Sequence, residues 1–390
     1  MAAPRAVAAP YSFAPRPPLV PVTPSTVPAP TSGPAATPAF LTTADERRGA
    51  ERALDAAGVP VPLHARTAWS EAFPETPGAL AALRAGDGGY TAALGVTMHA
   101  SRALPGHQIW RVDRVGDAVG AAQAAALVRL VVAEARRRAR VLRVEVSVLS
   151  RRPEFRAELG RALAAARFRQ IPALRTYDRT LVLDLADEEA MLAALSRQTR
   201  RNVRAVDRQP LAVRPVADPA LAERMHGLMH ETMARTGGTY VPFDWAGAMR
   251  LSAALPERSR LVGMFRTDAE GPASLLAFSW GMHHGDHAVY DAGASTRATD
   301  VRIAMAYPLI WDLVTWARRS GARWFDFGGV SRPQPGAEDP LAGISEFKRS
   351  FSRQVEEVGD EYVLEVTPVR SAVARALGSG ARALHSLARR

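Results

Sequence analysis

Apolar and polar positions alternate strictly through "VLRVEVSVL" (141–149), the mark of a strand with two unlike faces. Similar short runs predict strands at "GGYTAALGVTM", "HQIWRVDRV" and "RTYDRTLVLDL". Between and around them, apolar residues recurring every three to four positions predict helices. These are "ADERRGAERALDAAG", Ala118 to Arg138, and "RPEFRAELGRALAAARF", the last with proline near its start. Together these elements form a first lobe, 43–185. The order then recurs. A helix from Glu188 to Arg208 precedes a strand, "LAVRPV", and a helix, "PALAERMHGLMHETMART". The strands "RLVGMFRT", "ASLLAFSWGMHH" and "HAVYDAGAS" follow, then the helix "RIAMAYPLIWDLVTWARRSG" and the strand "RWFDFGG". The segment "GISEFKRSF" and a last strand, "EYVLEV", complete it. Mixed strands with crossing helices, given twice in one order, predict an α/β (α+β) fold of two tandem lobes, the second spanning 186–352.

Residues 1–42 are rich in Pro, Ala, Ser and Thr without period, and a disordered arm is expected there. The tail 373–390 is basic; it reads as an amphipathic helix or as a frayed terminus. No run of about 18 apolar residues occurs, so no membrane-spanning segment is expected. The first residues lack the charged-then-apolar order of a secretion signal, and a cytoplasmic monomer is expected. With no cysteine, thiol nucleophiles, disulfides and cysteine metal sites are excluded. A net charge of +11 favours a polyanionic partner: nucleic acid, a nucleotide sugar or an anionic lipid headgroup.

The same composition isolates two residues. Of 50 lysines and arginines, only Lys348 is lysine, and Asn202 is the one asparagine. In a chain that uses arginine for every other cationic task, a lone lysine points to a place where a planar guanidinium does not fit. On helical spacing Lys348 falls within the stripe Ile344, Phe347 and Phe351, where an ammonium loses hydration and needs an anion or a ring face. Snorkelling is the plainer account, but arginine snorkels equally well. Asn202 sits in "SRQTRRNVRAVDR". There Arg197, Arg200, Arg201, Arg204 and Arg208 share about a third of a helix circumference, opposite Leu192, Leu195, Thr199, Val203 and Val206. With acidic partners nearly absent at i±4, this face either repels itself in solvent or binds phosphate. Asp326, in an aromatic strand that ends in Gly328-Gly329, marks either close approach of a ligand or a carboxylate bonding its own turn.

Other patterns carry less. "MHHGDHA" reads as a hairpin turn with imidazoles at its base, and His226 and His230 lack the context of a zinc-protease helix, so no metal is expected. Walker, dinucleotide and nucleophile-elbow motifs are absent, and no cofactor is expected.

"LSRQTRRNVRAVDR", "YDAGAS", "WFDFGG" and "GISEFKRSF", in this order and at these separations, resemble the FemABX aminoacyltransferases. The resemblance covers residues 175 to 366; the first lobe matches only in element order. It implies two lobes of acetyltransferase (GNAT) type, with a strand in 353–372 returning to the first lobe. It implies transfer of an amino acid from aminoacyl-tRNA to an amine, typically on a peptidoglycan precursor that is nucleotide-sugar- or lipid-linked, with peripheral contact to an anionic membrane. It places Lys348 and Phe347 at the reaction centre. Arg200, Arg201, Asn202 and Arg204 then fall on a substrate-binding face, with Asp326 and with Arg302 of "TRATDVRIAMAY". That segment holds no glycine to cradle a pyrophosphate, which argues against coenzyme A in the second lobe. A CoA-dependent N-acyltransferase, a tRNA-dependent enzyme acting on a small metabolite, and a non-catalytic RNA-binding protein are the alternatives.

Overall fold

The computed structural model describes residues 36–86, 88–172, 175–297, 300–330 and 342–387. Its strands assemble into two seven-stranded sheets. The first lobe begins with β1 (Thr37–Leu41), α1 (Ala44–Ala56), β2 (Gly78–Arg84), β3 (Tyr90–Ala100) and β4 (Gln108–Val115), while α2 (Thr67–Ala72), which lies between α1 and β2 in the chain, belongs almost wholly to the second lobe. It continues with α3 (Ala121–Arg136), β5 (Val141–Leu149), α4 (Pro153–Ala165) and β6 (Arg169–Gln170). The second comprises β7 (Arg179–Asp184), α5 (Glu188–Ala194), α6 (Arg197–Val203), β8 (Leu211–Pro215), α7 (Ala222–Thr236), α8 (Trp245–Ala254) and β9 (Ser259–Arg266). After these come β10 (Leu275–His283), β11 (His287–Ser295), α9 (Ala306–Arg319), β12 (Trp324–Gly329), α10 (Ala342–Arg349) and β13 (Gln354–Glu357). Last are β14 (Gly359–Glu365) and α11 (Pro368–Leu387).

The sheets run β1-β2-β3-β4-β5-β14-β6 and β13-β7-β12-β11-β10-β9-β8. Each is antiparallel except for one inner parallel pair, β4–β5 and β11–β12, joined by a crossover helix, α3 and α9. The duplicated topology expected from the element order is therefore present. Two units separate on internal packing. One holds 36–67, 75–175 and 359–387; the other holds 68–74 and 176–358. Each has its own core, around Trp110, Leu127 and Val146 in the first and around Leu313, Phe325 and Phe327 in the second.

Four expectations are corrected. Thr37–Leu41 is not part of a disordered arm but an edge strand paired with β2. Pro38 is tolerated at such an edge, where a missing N–H costs least, and Phe40 stacks on Trp110. Residues 1–35 of that arm lie outside the described residues. The strand of "RTYDRTLVLDL" does not close the first lobe: β7 pairs with β12 and β13, because its buried Leu181 belongs to the second core. The second sheet also extends past residue 352 through β13, and the crossing to the first sheet comes at β14, between β5 and β6. Finally, the helix drawn from Glu188 to Arg208 is broken. Leu195 and Ser196 are extended, and the Ser196 hydroxyl accepts from the Thr199 amide to cap α6.

The polar face of β5 is covered rather than solvated. Glu145, 5% exposed, accepts from Arg111 and Arg143 and lies 3.2 Å from Arg175 Nε. Arg175 also donates to Asp113 on β4 at 2.7 Å, and its backbone N–H donates to Glu361 on β14 at 2.9 Å. Burial pushes the Asp113 and Glu145 carboxyls up, but Arg175 and its neighbours outweigh this and hold both below the usual range. Burial leaves Glu361 above it, despite Arg175. Arg175 and Glu361 stand where the chain leaves and re-enters this unit, so one guanidinium fastens both crossings to the first sheet.

Arg175→Met leaves three carboxylates without their shared cation, a change expected to cost about 3 kcal/mol at pH 7. With Arg175 the lowered carboxyls stay ionised from pH 7 to pH 5; without it burial raises the same groups, so the folded variant gains stability by taking up protons as pH falls. The deficit should therefore shrink toward pH 5, read by urea melts of the variant and the native chain at both pH values.

Candidate functional site

In the second sheet the parallel pair β11–β12 stays in register for only three positions, His287↔Trp324 to Val289↔Asp326. Beyond these, β11 remains paired with β10 as far as Ser295, while β12 stays paired with β7 on its other edge, past a register shift, to Gly329↔Thr180. The two strands part. In the first sheet, by contrast, β4 and β5 stay paired to Val115↔Val148.

The parting is built by Asp326, which is fully buried. Its Oδ1 accepts from the Gly328 amide at 2.7 Å and from the Thr180 hydroxyl at 2.5 Å; its Oδ2 accepts from the Tyr177 hydroxyl. Thr180 Oγ1 also lies 2.8 Å from the Gly328 carbonyl. These bonds wind the strand end into a bulge that needs glycine twice. Gly328 has φ +78°, and a Cβ on Gly329 would come within 2.7 Å of Tyr177 Cβ. Of the two readings of Asp326, the geometry is that of a carboxylate bonding its own turn. Tyr177 and Thr180 were not singled out in the sequence, because their strand was assigned to the other lobe.

Lys348 reaches this bulge from α10. Its side chain is 5% exposed, and Nζ donates to the Gly329 carbonyl at 2.8 Å. Nζ lies 3.4 Å from the point where a Gly328 Cβ would stand. Burial lowers its pKa to about 8, with the Asp326 carboxylate partly offsetting that. The ammonium has three N–H groups and the Gly329 carbonyl takes one. Phe347 packs edge-on to Tyr307 at 5.0 Å, and Phe351 stacks between Tyr307 (5.4 Å) and Phe327 (5.6 Å). This aromatic wall holds α10 against the second core; the side chain of Ile344 lies outside the described residues.

The arginine segment is tied to the same place. Thr199 on α6 donates to the Ser350 carbonyl at 3.2 Å, one residue past α10, and the Ser350 hydroxyl caps Phe347 at 2.6 Å. With Thr199 and Val203 buried, Arg197, Arg201 and Arg204 are exposed. Arg200 differs: its guanidinium turns back onto the Ala193 and Leu195 carbonyls and closes the end of α5. Asn202 accepts from Gln198 at 3.0 Å. Arg302 is exposed on the segment before α9.

The histidines of "MHHGDHA" flank a β10–β11 hairpin turn, with His287 on Asp286 at 2.7 Å and stacked on Trp324. Among the described residues no three His, Asp or Glu side chains group as a metal site would.

Residues 193–349 match a family model described as "Acetyltransferase (GNAT) domain". No curated protein matches the chain significantly. Among solved structures the chain resembles FemX, with a TM-score of 0.64 at 16% identity over 85% of this chain and 98% of that one. Two others align less well. L-PGS from Bacillus licheniformis has a TM-score of 0.48 at 12% identity over 85% of this chain and 96% of that one. The C-terminal domain of a putative lysylphosphatidylglycerol synthetase from Agrobacterium fabrum has 0.49 at 13% over 86% and 97%. Two sheets of one topology, a GNAT acetyltransferase domain matched over residues 193–349 and a fold shared with FemX give the chain a duplicated GNAT-like fold.

Proposed function

We propose that the chain transfers an aminoacyl group from aminoacyl-tRNA to an amine acceptor on a peptidoglycan precursor. The observation that carries this is Lys348, a desolvated cation set where β11 and β12 part. The acceptor amine attacks the ester carbonyl, a C–N bond forms, and the bond to the ribose oxygen breaks. The proton lost by nitrogen goes to that leaving oxygen. Lys348 offers N–H donors to the negative charge on the tetrahedral carbonyl oxygen, worth about 3 kcal/mol for one good donor. Exposed Arg197, Arg201 and Arg204, tied through Thr199 to the end of α10, supply charge for the tRNA backbone. Phe347 sets the position of α10 through Tyr307. Aminolysis of an ester requires no nucleotide hydrolysis, in keeping with the missing Walker motif.

A second reading, acyl-CoA as donor, is favoured by the GNAT domain match alone. Purified protein incubated with charged tRNAs, cell-wall precursors and acyl-CoA, then analysed by mass spectrometry, separates the two. Aminoacylated precursor is the expected product; an acylated one formed without tRNA would overturn the proposal.

Three outcomes follow for the site. Lys348→Arg and Lys348→Met should each lower turnover about a hundredfold or more, and Lys348→Met should leave the melting temperature unchanged or raised, since it removes a buried cation. Activity near that of the native chain in Lys348→Arg would remove the assignment. Because its folded pKa is lowered to about 8, Lys348 loses its proton as pH rises through that value. Acting as a cation, it gives kcat/KM a falling limb there that the residual activity of Lys348→Arg lacks; a rising limb would make it a base. Arg201→Ala with Arg204→Ala should weaken tRNA binding and flatten its salt dependence at unchanged stability. Arg200→Ala should instead lower stability, which thermal melts of the two variants would separate.

A further inference from the structure

The three large apolar side chains that stand out as exposed among the described residues lie together on one helix. They are Val369 (79% exposed), Val373 (47%) and Leu377 (52%) on α11. At 100° per residue they span about a quarter of the helix circumference. The other side of α11 is fixed to the first sheet. Ser371, 1% exposed, donates to the Leu142 carbonyl at 2.9 Å, and Ala374 is buried. Arg370 donates to the Ala139 carbonyl and Arg375 to Glu365, so the beginning of the helix is docked rather than loose. A docked helix has no need of an outward apolar stripe for its own packing.

We infer that α11 is a membrane-surface element, laying Val369, Val373 and Leu377 into the interface of an anionic lipid layer. Charge selects the occupant. From Pro368 to Arg390 the sequence holds no acidic residue and, besides Arg370 and Arg375 that dock the helix, Arg382, Arg389 and Arg390, within a chain of net charge +11. An apolar stripe on a cationic helix suits an anionic lipid surface, where buried apolar area and headgroup attraction add. No helix among the described residues is long and apolar enough to cross a membrane, so the contact would lie in the plane of the surface. This inference stands apart from the acyl donor: it holds whether aminoacyl-tRNA or acyl-CoA is used.

The full chain should cosediment with vesicles of equal parts phosphatidylglycerol and phosphatidylcholine, and not with phosphatidylcholine alone. Val373→Asp with Leu377→Asp should weaken that partitioning about tenfold or more at an unchanged melting temperature, since both side chains are exposed. Transfer to a water-soluble acceptor without vesicles should be the same in both proteins, which keeps this test separate from that of the active site. Absence of binding to the anionic vesicles, or equal binding by the double variant, would overturn the inference. So would a native dimer that the double variant converts to monomer, because the stripe would then cover a second copy of the chain.

Discussion

One buried carboxylate sets the geometry of the second lobe. With both oxygens of Asp326 committed to Gly328, Thr180 and Tyr177, β12 bulges and parts from β11 while its other edge stays paired with β7. The bulge brings the Gly329 carbonyl to the Lys348 ammonium, and the ladder between β11 and β12 ends at Val289↔Asp326. An uncompensated cation at 5% exposure would be costly; the carbonyl dipole and the Asp326 charge make it tolerable without discharging it. The result is a donor of adjustable protonation in a dry place, which a solvated arginine could not supply.

Much of this was legible in the sequence, and for physical reasons. Strands with strong periodicity, such as β5, β10 and β12, announce themselves through local pattern, and their recurrence reveals the duplication. Lys348 was found through residue usage: when one cationic residue replaces nearly all of another, the exception marks a shape constraint. Partners across the sheet were not legible. Tyr177 and Thr180 precede Asp326 by well over a hundred positions, and nothing local tells β7 which sheet it joins. The Pro-rich start concealed β1, because composition speaks for a whole segment while a five-residue edge strand needs only Phe40 and Leu41 to pack.

The arginine segment shows how periodicity can mislead. Treated as one helix, its five arginines form a uniform face. The Ser196 cap breaks that helix, and Arg200 leaves the face to satisfy the carbonyls of α5. Equivalent-looking charges thus divide between holding the backbone and meeting solvent, and only the cap distinguishes them.

The placement of β14 has a consequence for synthesis on the ribosome. Strand β14 lies between β5 and β6, yet it is made only after all of residues 176–358. The earlier unit therefore emerges with an open slot in its sheet and with Arg175 short of its Glu361 partner. The later unit, lacking any such debt, can close on itself as soon as β13 clears the exit tunnel. Folding order is thereby inverted with respect to chain order: the inserted half matures first, and the half that begins the chain is the last to be sealed. A nascent chain stalled before Gly359 should expose the flank of β5, an edge that pairs readily with other strands.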